Sequence, residues 1–275
     1  MQRGTLLVKR ESAKEDRDYL LDYKSIELTG LRREHVLGVP IDNLTRDEAV
    51  ARILQMIEAR KGPHHVFFAD PIKLMRIRGK RLSFIQEQAD LILADGAGLG
   101  WAAARLRSPL KERIPMIATI MDLVRLAHKQ ELTIYLLGSR MEYLERVFFN
   151  MQRSFPGVRI IGRQEGAFGR EREALVKESL RKSAPDIIFL GMGFPEQEQW
   201  MRDNWQHLNS AVVVGVDDAF DILSGKEKKA PDYFQVRGLA WLWRTISRPL
   251  LVDRMFLMLA FFFLTLWRSF RLPRQ

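Results

Sequence analysis

Asp186-Ile187-Ile188-Phe189-Leu190-Gly191-Met192-Gly193-Phe194-Pro195-Glu196-Gln197-Glu198-Gln199-Trp200 joins a short apolar run directly to a segment of helical periodicity. An apolar run without alternation reads as a strand covered on both faces, and such strands belong to parallel sheets flanked by helices. Gly191 and Gly193 permit a tight turn and close backbone approach, Pro195 suits the first helical turn, and a helix N-terminus offers N–H groups to an anion. Gln197 and Glu198 are then expected at the mouth of a site on the carboxyl edge of the sheet. A Gly-x-Gly turn also serves as a plain connector. The Pro-x-Gln-Glu that follows sharpens the ligand reading.

The same grammar extends outward in both directions. Val36 to Ile41 reads as a strand, and Thr45-x-x-Glu48 forms a capping box ahead of the apolar face Ala49, Ile53, Leu54 and Ile57. Further strands are predicted at Val66 to Ala69, Leu91 to Ala94, Thr133 to Leu137, Val158 to Ile161, Ile187 to Leu190 and Ala211 to Val216, most of them separated by helices. The expected fold is α/β, a Rossmann-like, mostly parallel sheet with helices on both faces. It spans residues 36–225, preceded by a charged arm at 1–35 and followed by a basic helical appendage at 226–275.

Of 275 residues, 47% are apolar, enough for one sizeable core, and the net charge is +10. That charge is concentrated at one end. After Gly225 ten Lys or Arg face only Glu227, Asp232 and Asp253. The appendage also holds the apolar run Met255 to Trp267 between Arg254 and Arg268. As a helix it would reach about 20 Å, short of a roughly 30 Å hydrocarbon core. It reads either as an interfacial anchor on an anionic membrane surface or as a buried core or dimer helix. The arm contains no apolar stretch of signal-peptide length, so a secreted protein is not expected. Cysteine is absent, which excludes disulfides, thiolate metal sites and thiol catalysis.

Three strand ends carry candidate chemistry. Asp95, with Gly96, follows Leu91-Ile92-Leu93-Ala94 and is placed either to accept a proton from an acceptor hydroxyl or to cap the helix beginning near Ala97. Gly138-Ser139-Arg140 follows Leu136-Leu137 and is suited either to a phosphate or to an ordinary turn. The third is the Gly191 segment. Arg113 suits a diphosphate bidentately, and Asp221 either a ligand hydroxyl or a helix cap. His64-His65 and Asp217-Asp218 lack the spacing of a metal site, and no metal or cofactor is expected. There is no Ser-centred elbow, no phosphate loop ending in Gly-Lys-Ser/Thr, no dinucleotide fingerprint and no nucleic-acid-binding motif.

Together, Ala89-Asp90-Leu91-Ile92-Leu93-Ala94-Asp95-Gly96, Gly191-x-Gly193-x-Pro195-x-Gln197-Glu198-x-Trp200, Phe220-Asp221-x-x-x-Gly225, Lys229-Ala230-Pro231 and Gly238-Leu239-x-Trp241-x-x-Arg244 closely resemble the WecG/TagA/CpsF glycosyltransferases, family 26, from about Val36 to Pro249. The resemblance implies an inverting, metal-independent transferase. Such an enzyme moves an N-acetylmannosamine-type or related hexose from a nucleotide diphosphate, UDP foremost, to a polyprenyl-diphosphate-linked sugar. It implies work at the cytoplasmic face of the inner membrane in envelope or exopolysaccharide synthesis, compatible with a homo-oligomer and without nucleic acid. Asp95 matches the proposed base, and Gln197 a site glutamine contacting sugars. Arg113 with Arg237, Arg244 and Arg248 matches groups that steady diphosphates.

Several positions depart from the family pattern. Phe68-Ala69-Asp70-Pro71 stands where relatives carry Thr-Ala-Asn-Pro, which places a ring and a carboxylate beside Asp95. If Asp70 and Asp95 approach each other, one carboxyl should titrate high. Met116 to Thr119 replaces Gly-Ser/Thr-Asp-Leu, and Asp122, a turn later, either takes over that role or does not. Asp217-Asp218 replaces Gly-Gly and is expected to repel a diphosphate unless it holds a ligand hydroxyl. These departures leave an alternative, a non-catalytic relative that binds a nucleotide-sugar or lipid-linked intermediate within a polysaccharide machine.

Overall fold

A computed structural model describes residues 22–28, 32–226 and 252–271. Its centre is a parallel sheet of six strands: β3 (His64–Ala69), β4 (Leu91–Ala94), β5 (Thr133–Gly138), β6 (Arg159–Gln164), β7 (Ile187–Gly191) and β8 (Val212–Gly215), in the order β4-β3-β8-β7-β5-β6. The continuous apolar runs are the central strands, as their lack of alternation requires. Alternate residues of one strand serve opposite layers. Ile187 and Phe189 enter the core on one face, and Ile188 and Leu190 that on the other.

Val36 to Ile41 is not one strand. It is a hairpin, β1 (Arg33–Val36) and β2 (Val39–Asp42), turned at Leu37 and Gly38, both at positive φ. Two successive positive φ values make the tight turn whose twist suits a hairpin. The hairpin covers the β4 edge: Asp42 accepts the Ile92 N–H at 2.7 Å, and Arg33 donates to the Asp90 carbonyl at 2.8 Å. A covered edge is closed to stray strand addition. Ahead of it, Tyr23 is buried in the main core.

Helix α1 (Arg46–Ala59) begins at the predicted capping box, with Thr45 and Glu48 bonding each other's backbone. Between β3 and β4 lie α2 (Pro71–Ile77) and α3 (Phe84–Gln88), and α4 (Ala97–Arg105) and α5 (Met116–Lys129) follow β4. Helices α6 (Met141–Ser154) and α7 (Arg170–Ser183) flank β6, α8 (Glu196–Asn204) joins β7 to β8, and α9 (Ala219–Leu223) follows β8. Asp122 of α5 does not point toward the strand tips. It is buried, with Arg46 Nε at 3.0 Å and Arg125 Nη1 at 2.8 Å, and fastens α5 to α1.

The apolar appendage segment forms part of a longer helix, α10 (Val252–Arg271), which takes in Arg254 and Arg268 rather than stopping at them. It packs on α2 and α4 through Met258, Phe261 and Thr265. Phe256, Leu259, Phe263, Trp267 and Phe270 stay exposed on its outer side. The helix thus has one buried face, as the core-helix reading expected, and one exposed apolar face. No helix among the described residues is long and apolar enough to cross a membrane.

Candidate active site

The carboxyl tips of β4, β3, β8, β7 and β5 bring the predicted residues to one edge. Asp95 stands at the β4 tip, its N–H bonded to the Ala69 carbonyl at 2.7 Å, so the β3 and β4 ends are locked together. Gly96, at φ +102, is the N-cap of α4, which takes no side-chain cap. The loop before α5 returns beside it, because the Ile114 N–H bonds the Ala94 carbonyl at 2.8 Å. That bond aims Arg113 at Asp95. Nη2 lies 3.9 Å from Oδ1, with the two side chains 37% and 28% exposed. The neighbouring Glu112 faces away and accepts the Arg46 N–H. A partly exposed carboxylate beside a partly exposed guanidinium can take a proton and hold an anion at adjacent points.

Asp70 is committed to its own helix. It caps α2, accepting the Ile72 and Lys73 N–H groups at 2.8 Å each. Phe68 leaves the site altogether: it is 1% exposed and packs in the main core, because β3 alternation sends it to the sheet face away from α2 and α10.

Beyond the β7 tip the structure corrects the placement of Gln197 and Glu198. Both are buried, not at a mouth. The Gln197 carboxamide bonds Asp217 twice, Nε2 to Oδ1 at 2.8 Å and Oε1 from the backbone N–H at 3.0 Å, and Nε2 also donates to Glu198 Oε1. Glu198 Oε2 lies 2.9 Å from His65 Nε2. The α8 amides of Gln197 and Glu198 close on the Gly193 and Pro195 carbonyls, so they are not open to an anion. Pro195 precedes the helix as its N-cap, after a cis Phe194-Pro195 bond. Gly191 is required by packing, since a Cβ there would sit 2.6 Å from the Phe220 ring, whereas Gly193, at φ +85, faces open space.

Gly138 and Ser139 are likewise turned inward. Ser139 donates its N–H to the Gly191 carbonyl at 2.7 Å and its hydroxyl to Asp221 at 3.0 Å, which commits both donors predicted for a phosphate. Asp221 also faces Lys226 at 3.3 Å. It ties α9 to the β5 turn. Arg237, Arg244 and Arg248 lie outside the described residues.

Asp217 does not point out to repel a diphosphate. At φ +48 it turns in toward Lys73, and the two are ion-paired. Burial pushes the Asp217 carboxyl up to about 6 against the pull of Lys73, with Glu198 and Asp70 adding to the rise. Burial works to lower Lys73, but Asp217 and Asp70 outweigh it and hold the ammonium above its usual range. Burial raises Glu198, and His65, Gln197 and Lys73 more than offset it. Lys73 was not singled out in the sequence. Its signal is a lysine between Pro71 and the core residues Leu74 and Ile77, on a stripe that should be apolar.

A Rossmann-like sheet with an acid at one strand tip, an arginine beside it and glycine-tight turns along the same edge places a ligand where open α/β sheets bind theirs. The chain belongs to the glycosyl transferase WecG/TagA/CpsF family, whose sequence model matches residues 34–275, and is a glycosyltransferase. Similar curated proteins come from Staphylococcus aureus strains NCTC 8325 / PS 47, COL and MRSA252. Each is 30% identical over 224 residues, covering 80% of this chain and 87% of the relative. Each is named N-acetylglucosaminyldiphosphoundecaprenol N-acetyl-beta-D-mannosaminyltransferase.

Proposed function

We propose that this chain is an inverting, metal-independent transferase that moves a hexose of the N-acetylmannosamine type from a nucleotide diphosphate, UDP foremost, to a sugar carried on a polyprenyl diphosphate. The names of its relatives support the acceptor class and the sugar. The observation that carries the reading is the Asp95–Arg113 pair at the β4 tip. Asp95 takes the proton of the acceptor hydroxyl, whose oxygen attacks the anomeric carbon from the face opposite the nucleotide. The bond to the diphosphate oxygen then breaks, and the leaving charge is met by Arg113 and by the appendage arginines Arg237, Arg244 and Arg248. We place the work at the cytoplasmic face of the plasma membrane, because the lipid tail of the acceptor stays in the bilayer and α10 offers an exposed apolar face.

The non-catalytic alternative drew on Phe68 and on Asp217-Asp218. With Phe68 in the core and Asp217 paired to Lys73, neither of those two residues supports it. The test offers the detergent-solubilised full chain a panel of UDP- and dTDP-hexoses with a polyprenyl-diphosphate-sugar, in EDTA. Asp95→Asn is expected to slow acceptor-dependent nucleotide release by roughly 10²- to 10⁴-fold while UDP still raises the melting temperature. Release unaffected by Asp95→Asn removes Asp95 as the base. Donor binding without release from any donor returns the alternative.

A further inference from the structure

We propose that Lys73 is a positioning residue of the transfer site, and that its buried ammonium, acting through Asp217, holds three strand-end turns in one arrangement. The turns are β3–α2, β7–α8 and β8–α9. The kinetic part of the proposal rests on the glycosyl-transfer reading above.

Lys73 is 7% exposed, yet its stem starts on α2, one turn from the cap at Asp70. Nζ donates to the Phe68 carbonyl at 2.8 Å, is ion-paired to Asp217, and lies over the rings of Phe67 and Phe194 at 5.2 and 5.7 Å. One cation therefore touches the end of β3, the turn after β7 and the turn after β8. The groups facing Asp217 are Lys73 from α2, Asp70 from the β3 turn, and Gln197 and Glu198 from α8, with His65 of β3 behind Glu198. A single ammonium thus serves three carboxylates.

Asp217 occupies left-handed backbone, where a residue other than glycine or asparagine persists only when its surroundings hold it. Gln197 holds its backbone and one carboxylate oxygen, and Lys73 holds the other oxygen. Take away the ammonium and a carboxylate is left buried without a cation, so it must either gain a proton or rotate out and undo the turn. Movement there reaches the base by a short route. The β3 turn carries the Ala69 carbonyl that bonds the Asp95 N–H, and Pro71 lies 3.6 Å from where a Cβ on Gly96 would be.

The experiment uses the full chain as Lys73→Met and as Lys73→Met/Asp217→Asn. In Lys73→Met, Asp217 must stay protonated for the site to hold. Its kcat relative to wild type is expected to fall tenfold or more between pH 6.5 and 8.5, up to tenfold per pH unit, with donor KM within about twofold. The double variant, in which residue 217 can no longer ionise, restores a flat ratio. Hydrogen exchange supplies a readout independent of activity: Lys73→Met is expected to raise exchange in residues 68–74, 192–198 and 215–221 together. A pH ratio that stays flat in folded Lys73→Met, or no recovery in the double variant, overturns the proposal. So does exchange that rises only in 68–74. Should Lys73→Met fail to fold, the double variant carries the test, because loss of the cation alone should loosen all three segments. If the glycosyl-transfer reading fails, no variant shows transfer and the three-segment exchange pattern still stands or falls by itself.

Discussion

Phe261 and Phe263 are two residues apart on α10 and face opposite ways, so they separate what the helix does for the fold from what it offers outside. Phe263 is 72% exposed, and Phe261 is buried between α10, α2 and α4. Complete burial of a Phe side chain is worth about 1.5–3 kcal/mol. Transfer of the exposed part of Phe263 into lipid is then worth ~1–2 kcal/mol, or roughly 5- to 30-fold in partition. Phe263→Ala keeps helix propensity and removes only that term. In sedimentation with phosphatidylglycerol–phosphatidylcholine vesicles, Phe263→Ala is expected to bind 5- to 30-fold more weakly with an unchanged melting temperature. Phe261→Ala should instead lower the melting temperature, since a core Phe→Ala costs about 3–5 kcal/mol. Equal partition of wild type and Phe263→Ala refutes the reasoning, as does a loss of stability in Phe263→Ala as large as that in Phe261→Ala.

Other expectations concern the fold and the buried charges. Gly138→Ala would set a Cβ 2.2 Å from the Gly191 carbonyl oxygen at φ +128, and at ~3 kcal/mol or more it should lower the melting temperature by about 10 °C. Gly100, in α4 with open space around it, should by contrast gain up to ~1 kcal/mol as Ala. Thr45→Ala removes the α1 cap and should cost ~1 kcal/mol in urea unfolding. Asp217, raised to about 6 in the folded state, binds a proton there more readily than in the unfolded chain, so its contribution to stability is complete below pH 4 and is lost as pH rises through 6. The stability of wild type minus that of Asp217→Asn should fall by ~2 kcal/mol between pH 4 and 7. A flat difference would show that Asp217 titrates normally.

What could be read in the sequence follows from which interactions are local. Leu91 to Ala94, Thr133 to Leu137 and Ile187 to Leu190 are uninterrupted apolar runs, and they became strands within a residue of expectation. The capping box was legible because its partners are three residues apart. Val36 to Ile41 misled because its turn hangs on Leu37 at positive φ, a conformation rare for that residue, with Gly38 the only local sign. Asp95 and Arg113 could be named as candidates, and their approach depends on the Ile114–Ala94 bond, which no local pattern announces. Polarity suggested that Gln197 and Glu198 would face out. Their partners, Asp217, His65 and Lys73, arrive from distant elements, and only the assembled sheet edge shows that these polar groups satisfy one another.

Helix α10 rests on α2 and α4, the two helices whose N-termini frame the Asp95 turn. If the helix lies on a membrane as proposed, that seat would make it a gauge of height. On the proposed membrane placement, the depth its outer phenylalanines reach in a bilayer would fix how far above the headgroups Asp95 stands. Only an acceptor whose sugar is held at that distance by its diphosphate could then present a hydroxyl to the carboxylate. Selection among lipid-linked sugars would in this way include a measurement of length, made by the packing of one helix rather than by contacts to the sugar.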